Sequence, residues 1–381
     1  MQCQSVFERI DALGGAYVDI WEEMCLLESP TANKAAVDAV GRYIADWALD
    51  QGFDVEVLEL EGAGNPLCIT MNGAAEAAPV VMSGHIDTVH PIGLFGTPAV
   101  RRDEENIYGP GVEDCKGGVV ASMLVMQALK DCGFTARPVK LVVQTDEETS
   151  SKQSGKRTVE FMVERSRGAA AFLNTEGCTG KVTLARKGIV RYRLTVHGKA
   201  VHSARCEEGV NAVTEAAHKI IKLETLKDPE GLTCNCGVIQ GGTVANTVAE
   251  MCTFLVDIRF KDAEQHAQAE ALVREVAETA TLAGTTCEVE LISFRPAMEL
   301  TDFNIELLAK ANAAFVEEGL EAVEYQTAKG GSDAAYTTAA GIPTIDSIGV
   351  DGEGIHSIRE VGYLKSLPLS AKRMATIAMK L

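Results

Sequence analysis

The stretch Pro79-Val80-Val81-Met82-Ser83-Gly84-His85-Ile86-Asp87 indicates what kind of sheet this chain forms. Its apolar residues follow one another without polar alternation, and the run is short and ends at a glycine. Such a run is typical of a strand that is covered on both faces. Residues 139–143 form a second run of this kind, and a helical pattern over 118–132 lies between the two. The sequence therefore predicts an α/β sandwich around a largely parallel or mixed sheet.

Two helices are predicted before this strand. Apolar residues recur with helical spacing over 7–27, and Pro30 separates that segment from a second one that runs toward Asp50. Asn33 stands where a helix N-cap is expected, since its side chain can accept a hydrogen bond from a backbone N–H in the first turn.

A different pattern begins near Lys187. Alternating apolar residues over 190–196 predict a strand with one face in solvent, and a helix and two strands follow. A helix over 263–283, closed by Gly284, and a strand over 287–292 complete the order β-α-β-β-α-β. This order predicts a ferredoxin-like unit of about 110 residues. We therefore predict a mixed-sheet α/β/α domain formed by 1–186 and 297–381, with an inserted ferredoxin-like domain at 187–296.

Composition excludes several classes of partner. The formal net charge is −19, so phosphate backbones and anionic membranes would be repelled. The first residues show neither the basic nor the apolar segment of a signal peptide, and no apolar run is long enough to span a membrane. The 11 cysteines are scattered and odd in number, which favours a reducing cytoplasm over a disulfide framework.

Carboxylates and imidazoles accumulate where predicted strands end. His85 and Asp87 directly follow one buried strand, and Asp146-Glu147-Glu148 follows another. Three consecutive carboxylates repel one another unless cations neutralise them. A charge run is usually a solvated surface, but the strand ends of an α/β sheet are where sites form.

Further candidates are Asp114, in a glycine-rich turn before a helix, and Glu176 and His356, each after an apolar segment. Two histidines and three carboxylates are thus predicted at strand ends of one sheet. Such a mixed set of nitrogen and oxygen donors suits zinc, cobalt or manganese better than calcium.

The order of these motifs resembles a known enzyme family. The series is His85-x-Asp87, Gly111-x-x-Asp114-x-Lys116-Gly117-Gly118, Asp146-Glu147-Glu148, Glu176, Gly198-x-x-x-His202-Ser203-Ala204 and His356-Ser357. It is similar to the metallopeptidase family of glutamate carboxypeptidase, acetylornithine deacetylase, succinyl-diaminopimelate desuccinylase and aminoacylase. The resemblance covers essentially the whole chain, including the predicted insert.

The resemblance implies two divalent ions, zinc before cobalt or manganese, on five ligands: His85, Asp114, Glu148, Glu176 and His356. Asp114 would bridge the ions, His85 and Glu176 would complete one site, and Glu148 and His356 the other. Glu147 would be the general base, and Asp87 would orient His85. A cis peptide bond after Asp114 is also implied.

In the insert, the resemblance implies that His202 polarises the scissile carbonyl. Substrate-contacting positions are matched by Arg186, Asn246, Arg259, Gly331 and Ser332. Members of this length pair through the insert, so the resemblance also implies a homodimer in which His202 serves the partner's site.

The activity expected from this resemblance is hydrolysis of an amide bond next to a free carboxylate, as in a glutamate carboxypeptidase. The substrate would be a small peptide or an N-acyl amino acid, and Arg259 offers the planar, two-pronged donor that a carboxylate prefers. Alternatives are an N-acyl-amino-acid deacylase and a di- or tripeptidase. A binding protein without catalysis would be expected to lack some of these residues, and a thiol-dependent enzyme would need a partner for a cysteine that the sequence does not show.

Overall fold

A computed structural model describes residues 2–229 and 231–381 of the chain. These residues divide into two units. One comprises the described residues of 1–185 together with Leu300–Thr327 and Ser332–Leu381, and the other comprises those of 186–299 together with Ala328–Gly331.

Helices and strands are interleaved along the first part of the chain, with two helices before the first strand, as predicted. The helices are α1 (Cys3–Leu26), α2 (Lys34–Asp50), α3 (Lys116–Asp131), α4 (Arg157–Ser166), α5 (Ala212–Leu223), α6 (Ala263–Glu278), α7 (Asp302–Glu317), α8 (Ala334–Ala339) and α9 (Ser366–Lys380). The strands are β1 (Asp54–Val57), β2 (Leu67–Met71), β3 (Val80–His85), β4 (Arg101–Arg102), β5 (Asn106–Tyr108), β6 (Val139–Gln144), β7 (Ala171–Asn174), β8 (Val182–Arg186), β9 (Gly188–His197), β10 (Thr233–Gly241), β11 (Met251–Phe260), β12 (Thr286–Arg295), β13 (Tyr325–Ala328), β14 (Thr344–Ile345), β15 (Gly352–Glu353) and β16 (Val361–Tyr363). Asn33 caps α2, since its side chain accepts the Ala36 N–H at 3.2 Å.

The main sheet of the first unit is mixed. Within the described residues its strand order is β1-β2-β6-β3-β7-β14. Strands β6, β3, β7 and β14 pair in parallel, while β2 joins β6 and β1 joins β2 in antiparallel fashion. All six residues of β3 are buried, which explains its unbroken apolar run.

Helices cover both faces of this sheet. Val80 and Met82 of β3 face a core that also contains residues of α1, α2, α3 and α9. Val81, between them, faces a smaller core with Phe161 and Met162 of α4. Because successive side chains of a strand point to opposite faces, the predicted α/β/α sandwich is confirmed.

A second, smaller sheet lies in the same unit, with the order β15-β16-β5-β4. It joins segments that are far apart in sequence, since Val361 lies opposite Tyr108. It also closes a local turn, in which Glu353 lies opposite Val361. No sequence pattern predicts these strands of two or three residues. They matter because the segments on either side of them carry two of the candidate site residues.

The second unit has the predicted ferredoxin-like order. Strands β9 to β12 form one antiparallel sheet, β10-β11-β9-β12, and α5 and α6 pack on it. The apolar residues of β9 that alternate in sequence are the buried ones: Val190, Tyr192, Leu194 and Val196. The two-residue alternation therefore identified the face of the sheet that meets the helices.

The prediction for α6 was wrong at its end, since the helix stops at Glu278 and not at Ala283. Two buried residues of α5 hold the segment that follows. The Glu215 carboxylate accepts the N–H groups of Thr281 (3.0 and 3.1 Å) and Leu282 (2.7 Å), and Lys219 Nζ donates to the carbonyls of Val276 (2.5 Å) and Thr279 (2.9 Å). Tertiary partners have thus replaced helical hydrogen bonds.

Among the helices of the described chain, none is both long and apolar enough to cross a membrane.

Candidate metal centre

Three of the candidate ligands follow neighbouring strands of the main sheet. His85 is the last residue of β3, Glu148 lies in a short 3-10 helix after β6, and Glu176 lies two residues beyond β7. Because β6, β3 and β7 are parallel neighbours, their carboxyl ends share one edge of the sheet. This part of the predicted site rests on strand order.

The other two ligands do not end strands of this sheet, so that part of the prediction was wrong. Asp114 lies between β5 and α3, and His356 occupies a turn between β15 and β16. The main-sheet strand expected before His356 ends at Ile345, and the apolar residues Ile348 and Val350 continue into the core outside a strand. Pairing of β5 with β16 in the small sheet brings the two segments together.

The five side chains converge on Asp114. Its Oδ1 lies 2.9 Å from His85 Nε2, and its Oδ2 lies 3.2 Å from His356 Nε2. His85 Nε2 is also 3.8 Å from Glu176 Oε1, and His356 Nε2 is 3.2 Å from Glu148 Oε2. Each Asp114 oxygen therefore faces one histidine, and each histidine faces one glutamate. The Asp114–Cys115 peptide bond is cis, as the resemblance implies.

Asp87 links His85 to the glutamate pair. Its carboxylate accepts the N–H groups of Glu147 and Glu148, each at 3.2 Å, and the Thr31 hydroxyl at 2.7 Å. His85 Nδ1 lies 3.0 Å from the Asp87 carbonyl oxygen and 3.4 Å from its Oδ1. The contact of His85 with the Asp87 main chain is thus shorter than its contact with the Asp87 carboxylate.

Electrostatics at this cluster favour a bound cation. Burial raises the pKa of Glu148 to about 7 and that of Glu176 well above its usual range. Burial also opposes ionisation of Asp114, but hydrogen bonds from His356 and His85 lower its pKa. Crowded carboxylates of this kind are destabilised as anions until a positive charge compensates them.

The donor atoms have a suitable spacing for such a cation. The ligand atoms of His85, Asp114 and Glu148 lie within 4.8 Å of one another, and the same holds for His85, Cys115 and Glu176. Imidazole nitrogens mixed with carboxylate oxygens suit a divalent transition metal or zinc. Cys115 is buried, and its Sγ accepts the His85 N–H at 3.1 Å.

The candidates of the second unit lie on two of its elements. His202 caps a short 3-10 helix, its Nδ1 accepting the Ala204 N–H at 3.1 Å. Its neighbour Ser203 donates its N–H to the carbonyl of Asn246 at 2.9 Å, so His202 and Asn246 are brought together. Arg259, on β11, binds Asp257 through Nε at 2.6 Å and Nη2 at 3.3 Å.

The remaining candidates have structural contacts of their own. Arg186 ends β8, and its Nη1 donates to the Gly330 carbonyl at 3.4 Å. A Cβ on Gly331 would lie 2.8 Å from Arg295 Cδ, so this position has no room for a side chain without a shift. The Ser332 hydroxyl is buried and donates to Asp346 Oδ2 at 2.7 Å.

Two further contributors have no sequence motif. Thr31 reaches Asp87 because its own N–H bonds to the Thr88 carbonyl at 3.1 Å, which aligns the two segments. Glu360, four residues after His356, accepts the Asp114 N–H at 3.1 Å. The only feature of the sequence that could have indicated a role for Glu360 is its position four residues after the proposed ligand His356.

Comparison with known proteins agrees with this geometry. A family model described as "Peptidase family M28" matches residues 67–216, and one described as "Peptidase dimerisation domain" matches 184–285. Carboxypeptidase G2 of Pseudomonas sp. (strain RS-16) is 26% identical over 96% of this chain and 89% of its own length. The chain belongs to the metallopeptidase family that its motifs indicate. It is a peptide-bond hydrolase.

Other relatives of this metallopeptidase extend the likeness. An uncharacterised protein of Bacillus subtilis (strain 168) is 28% identical over 93% of this chain and 95% of its own length. The crystal structure of a Staphylococcus aureus tripeptidase is similar with a TM-score of 0.76 at 23% identity, covering 96% of this chain and 97% of its own. An M20 family metallo-carboxypeptidase of Sulfolobus solfataricus has a TM-score of 0.72 at 15% identity, with coverage of 96% and 98%. These two structures share the fold.

Proposed function

We propose that this metallopeptidase is a zinc-dependent exopeptidase of the glutamate carboxypeptidase kind, which removes a residue that carries a free carboxylate. One observation carries the proposal: two histidines and two glutamates are grouped around both oxygens of Asp114. The similarity to Carboxypeptidase G2 supports the choice of substrate class.

The ligand assignment follows these contacts. His85 and Glu176 would hold one ion, His356 and Glu148 the other, and Asp114 would offer one oxygen to each. When bound, the ions supply Lewis acidity to the carbonyl and acidify water at neutral pH.

Glu147 is the proposed proton carrier. Its main chain is fixed beside that of Glu148, because the Asp87 carboxylate accepts both N–H groups. In this arrangement Glu148 faces His356, and Glu147 is assigned to take the proton of the attacking water and deliver it to the leaving nitrogen.

Arg259 is the proposed anchor for the substrate carboxylate. Asp257 binds the Nε and Nη2 sides of its guanidinium, and a guanidinium has five N–H donors in a fixed plane. Asp257 would therefore hold the plane still and leave further donors for a substrate. The net charge of −19 makes such a local cation necessary for an anionic substrate.

Matched substrates test the requirement for a free carboxylate. We would assay four kinds of substrate in the presence of Zn²⁺, Co²⁺ or Mn²⁺: dipeptides ending in glutamate, their C-terminal amides, N-acetyl amino acids and tripeptides. We expect kcat/KM for the free acid to exceed that for the amide by about 10²-fold or more, because the neutral amide offers the Arg259 guanidinium neither the charge nor the second acceptor oxygen of a carboxylate. Equal cleavage of acid and amide would contradict the proposal. Faster turnover of N-acetyl amino acids would indicate a deacylase, and of tripeptides a tripeptidase.

The second unit is proposed to pair two chains, with His202 serving the partner's site. The match of residues 184–285 to a peptidase dimerisation domain supports this proposal. The exposed strand β10 lies at the edge of its sheet, and its outer backbone groups could pair with a strand of a second chain.

Subunit mixing tests whether His202 acts across the dimer. His202→Ala protein and Glu147→Gln protein would each be inactive alone. If His202 acts on the partner, subunit exchange produces a mixed dimer with one intact site, and activity reappears. Mixtures that stay inactive after exchange has been demonstrated by mass spectrometry, or an active wild-type monomer in sedimentation, would contradict this role.

A cytoplasmic location is proposed with this function. All 11 cysteines are unpaired in the structure, which supports a reducing compartment.

A further inference from the structure

Two of the proposed ligands need a support that the main sheet does not supply. Asp114 and His356 lie on separate loops, 242 positions apart in the sequence numbering, next to strands of only two or three residues. Their distances to His85 and Glu148 nevertheless have to be set to within a few tenths of an ångström for a metal to bind well. Some buried group has to hold the two loops together.

Glu360 makes the contacts that such a support requires. Its side chain is buried, with 2% of the residue exposed. Its Oε1 accepts the N–H groups of Glu113 (3.0 Å) and Asp114 (3.1 Å), and its Oε2 accepts that of Gly111 (3.2 Å). One carboxylate thus satisfies three backbone donors of the loop that presents Asp114.

The main chain of Glu360 continues this connection to both loops. Its carbonyl accepts the Gly109 N–H at 3.4 Å, and its own N–H donates to the Ser357 carbonyl at 3.2 Å, within the turn of His356. Glu360 therefore ends the turn that carries His356, while its side chain binds the backbone of the loop that carries Asp114.

A third segment approaches the same carboxylate. His90 Nε2 lies 3.6 Å from Glu360 Oε2, and His90 is buried on the loop that begins at His85 and Asp87. Glu360 accordingly stands at the junction of the loops that carry His85, Asp114 and His356.

We propose that Glu360 is a positioning residue for the metal centre, which sets the placement of Asp114 relative to His356. This inference rests on the proposed function, because it takes Asp114 and His356 as ligands. A buried carboxylate that accepts hydrogen bonds from three N–H groups makes a rigid connection. Loss of this carboxylate would leave three buried donors without a hydrogen-bond acceptor. The small sheet would still join the loops, but with a less defined separation of the ligands.

Zinc affinity measures this role directly. We would titrate metal-free wild type, Glu360→Gln and Glu360→Ala with Zn²⁺ in competition with a chromophoric chelator, and record the visible absorption of the Co²⁺ forms. Residues that orient ligands typically contribute 10- to 100-fold to metal affinity, so we expect a loss of about this size for Glu360→Ala. Glu360→Gln should lose less, since its amide oxygen can replace Oε1 but its NH₂ group would face the Gly111 N–H.

Glu215→Gln is the matched control. Glu215 is also a buried glutamate whose carboxylate accepts backbone N–H groups, those of Thr281 and Leu282, but it lies in the second unit. We expect this variant to be less stable in thermal unfolding and to bind Zn²⁺ as tightly as the wild type.

The outcomes separate this inference from the proposed function. If wild-type protein binds no Zn²⁺, the proposed metal centre is wrong. If the wild type binds Zn²⁺ and both Glu360 variants bind it within twofold of the wild type, with an unchanged Co²⁺ spectrum, the role of Glu360 is wrong. It is equally wrong if Glu215→Gln, at the same loss of stability, loses as much affinity. Should Glu360→Ala fail to fold, the isosteric Glu360→Gln decides.

Discussion

Glu147→Gln is expected to lower kcat by about 10²- to 10⁴-fold while the bound metal content stays the same. The amide keeps the size of the side chain but cannot accept a proton from water or return one to the leaving nitrogen. The Asp87 contacts to the main chain of residues 147 and 148 do not depend on the Glu147 side chain, so the neighbouring ligand should remain in place. Steady-state kinetics together with metal analysis by atomic emission measure both quantities.

Glu148→Gln is the control for this result. Glu148 faces His356 at 3.2 Å, so its replacement should reduce metal content as well as activity. If metal content falls with Glu147→Gln and not with Glu148→Gln, the two glutamates have been assigned the wrong way round.

Removal of metal is expected to abolish turnover, and Zn²⁺ or Co²⁺ should restore it. Without a cation, the largely buried carboxylates of Asp114, Glu148 and Glu176 have little to compensate their charge besides two imidazoles. Dialysis against a chelator, followed by metal analysis and assay, tests this, and the thermal unfolding midpoint should fall with the metal content because the ion binds the folded state.

Reconstitution with Mg²⁺ is the control, since a hard cation with a preference for oxygen ligands fits a site with two imidazoles poorly. Full activity in protein shown to be free of metal would contradict the proposed centre.

The parts of the fold that follow from local patterns were predictable. The unbroken apolar run of β3 indicated a strand buried on both faces, the alternation in β9 identified its buried face, and Asn33 caps α2 as expected. In each case the residues that form the pattern lie within a few positions of one another, so the sequence carries the information directly.

The parts that depend on distant partners were not predictable. The end of α6 is set by Glu215 and Lys219, some sixty positions earlier, and no residue near Glu278 indicates it. The same holds for the placement of Asp114 and His356, which depends on pairing between β5 and β16.

The route of the chain through the first unit has a consequence for biosynthesis. The chain leaves this unit at Ala185 and returns at Leu300, and the returning part supplies β14, which pairs with β7, and α9, which shares a core with α1 and α3. A ribosome that has released only the amino-terminal half has therefore made a sheet without its edge strand and a core without its closing helix. His356 would emerge later still. The proposed metal centre can assemble only after His356 has left the ribosome, so a nascent chain that ends before this residue lacks one of the proposed ligands.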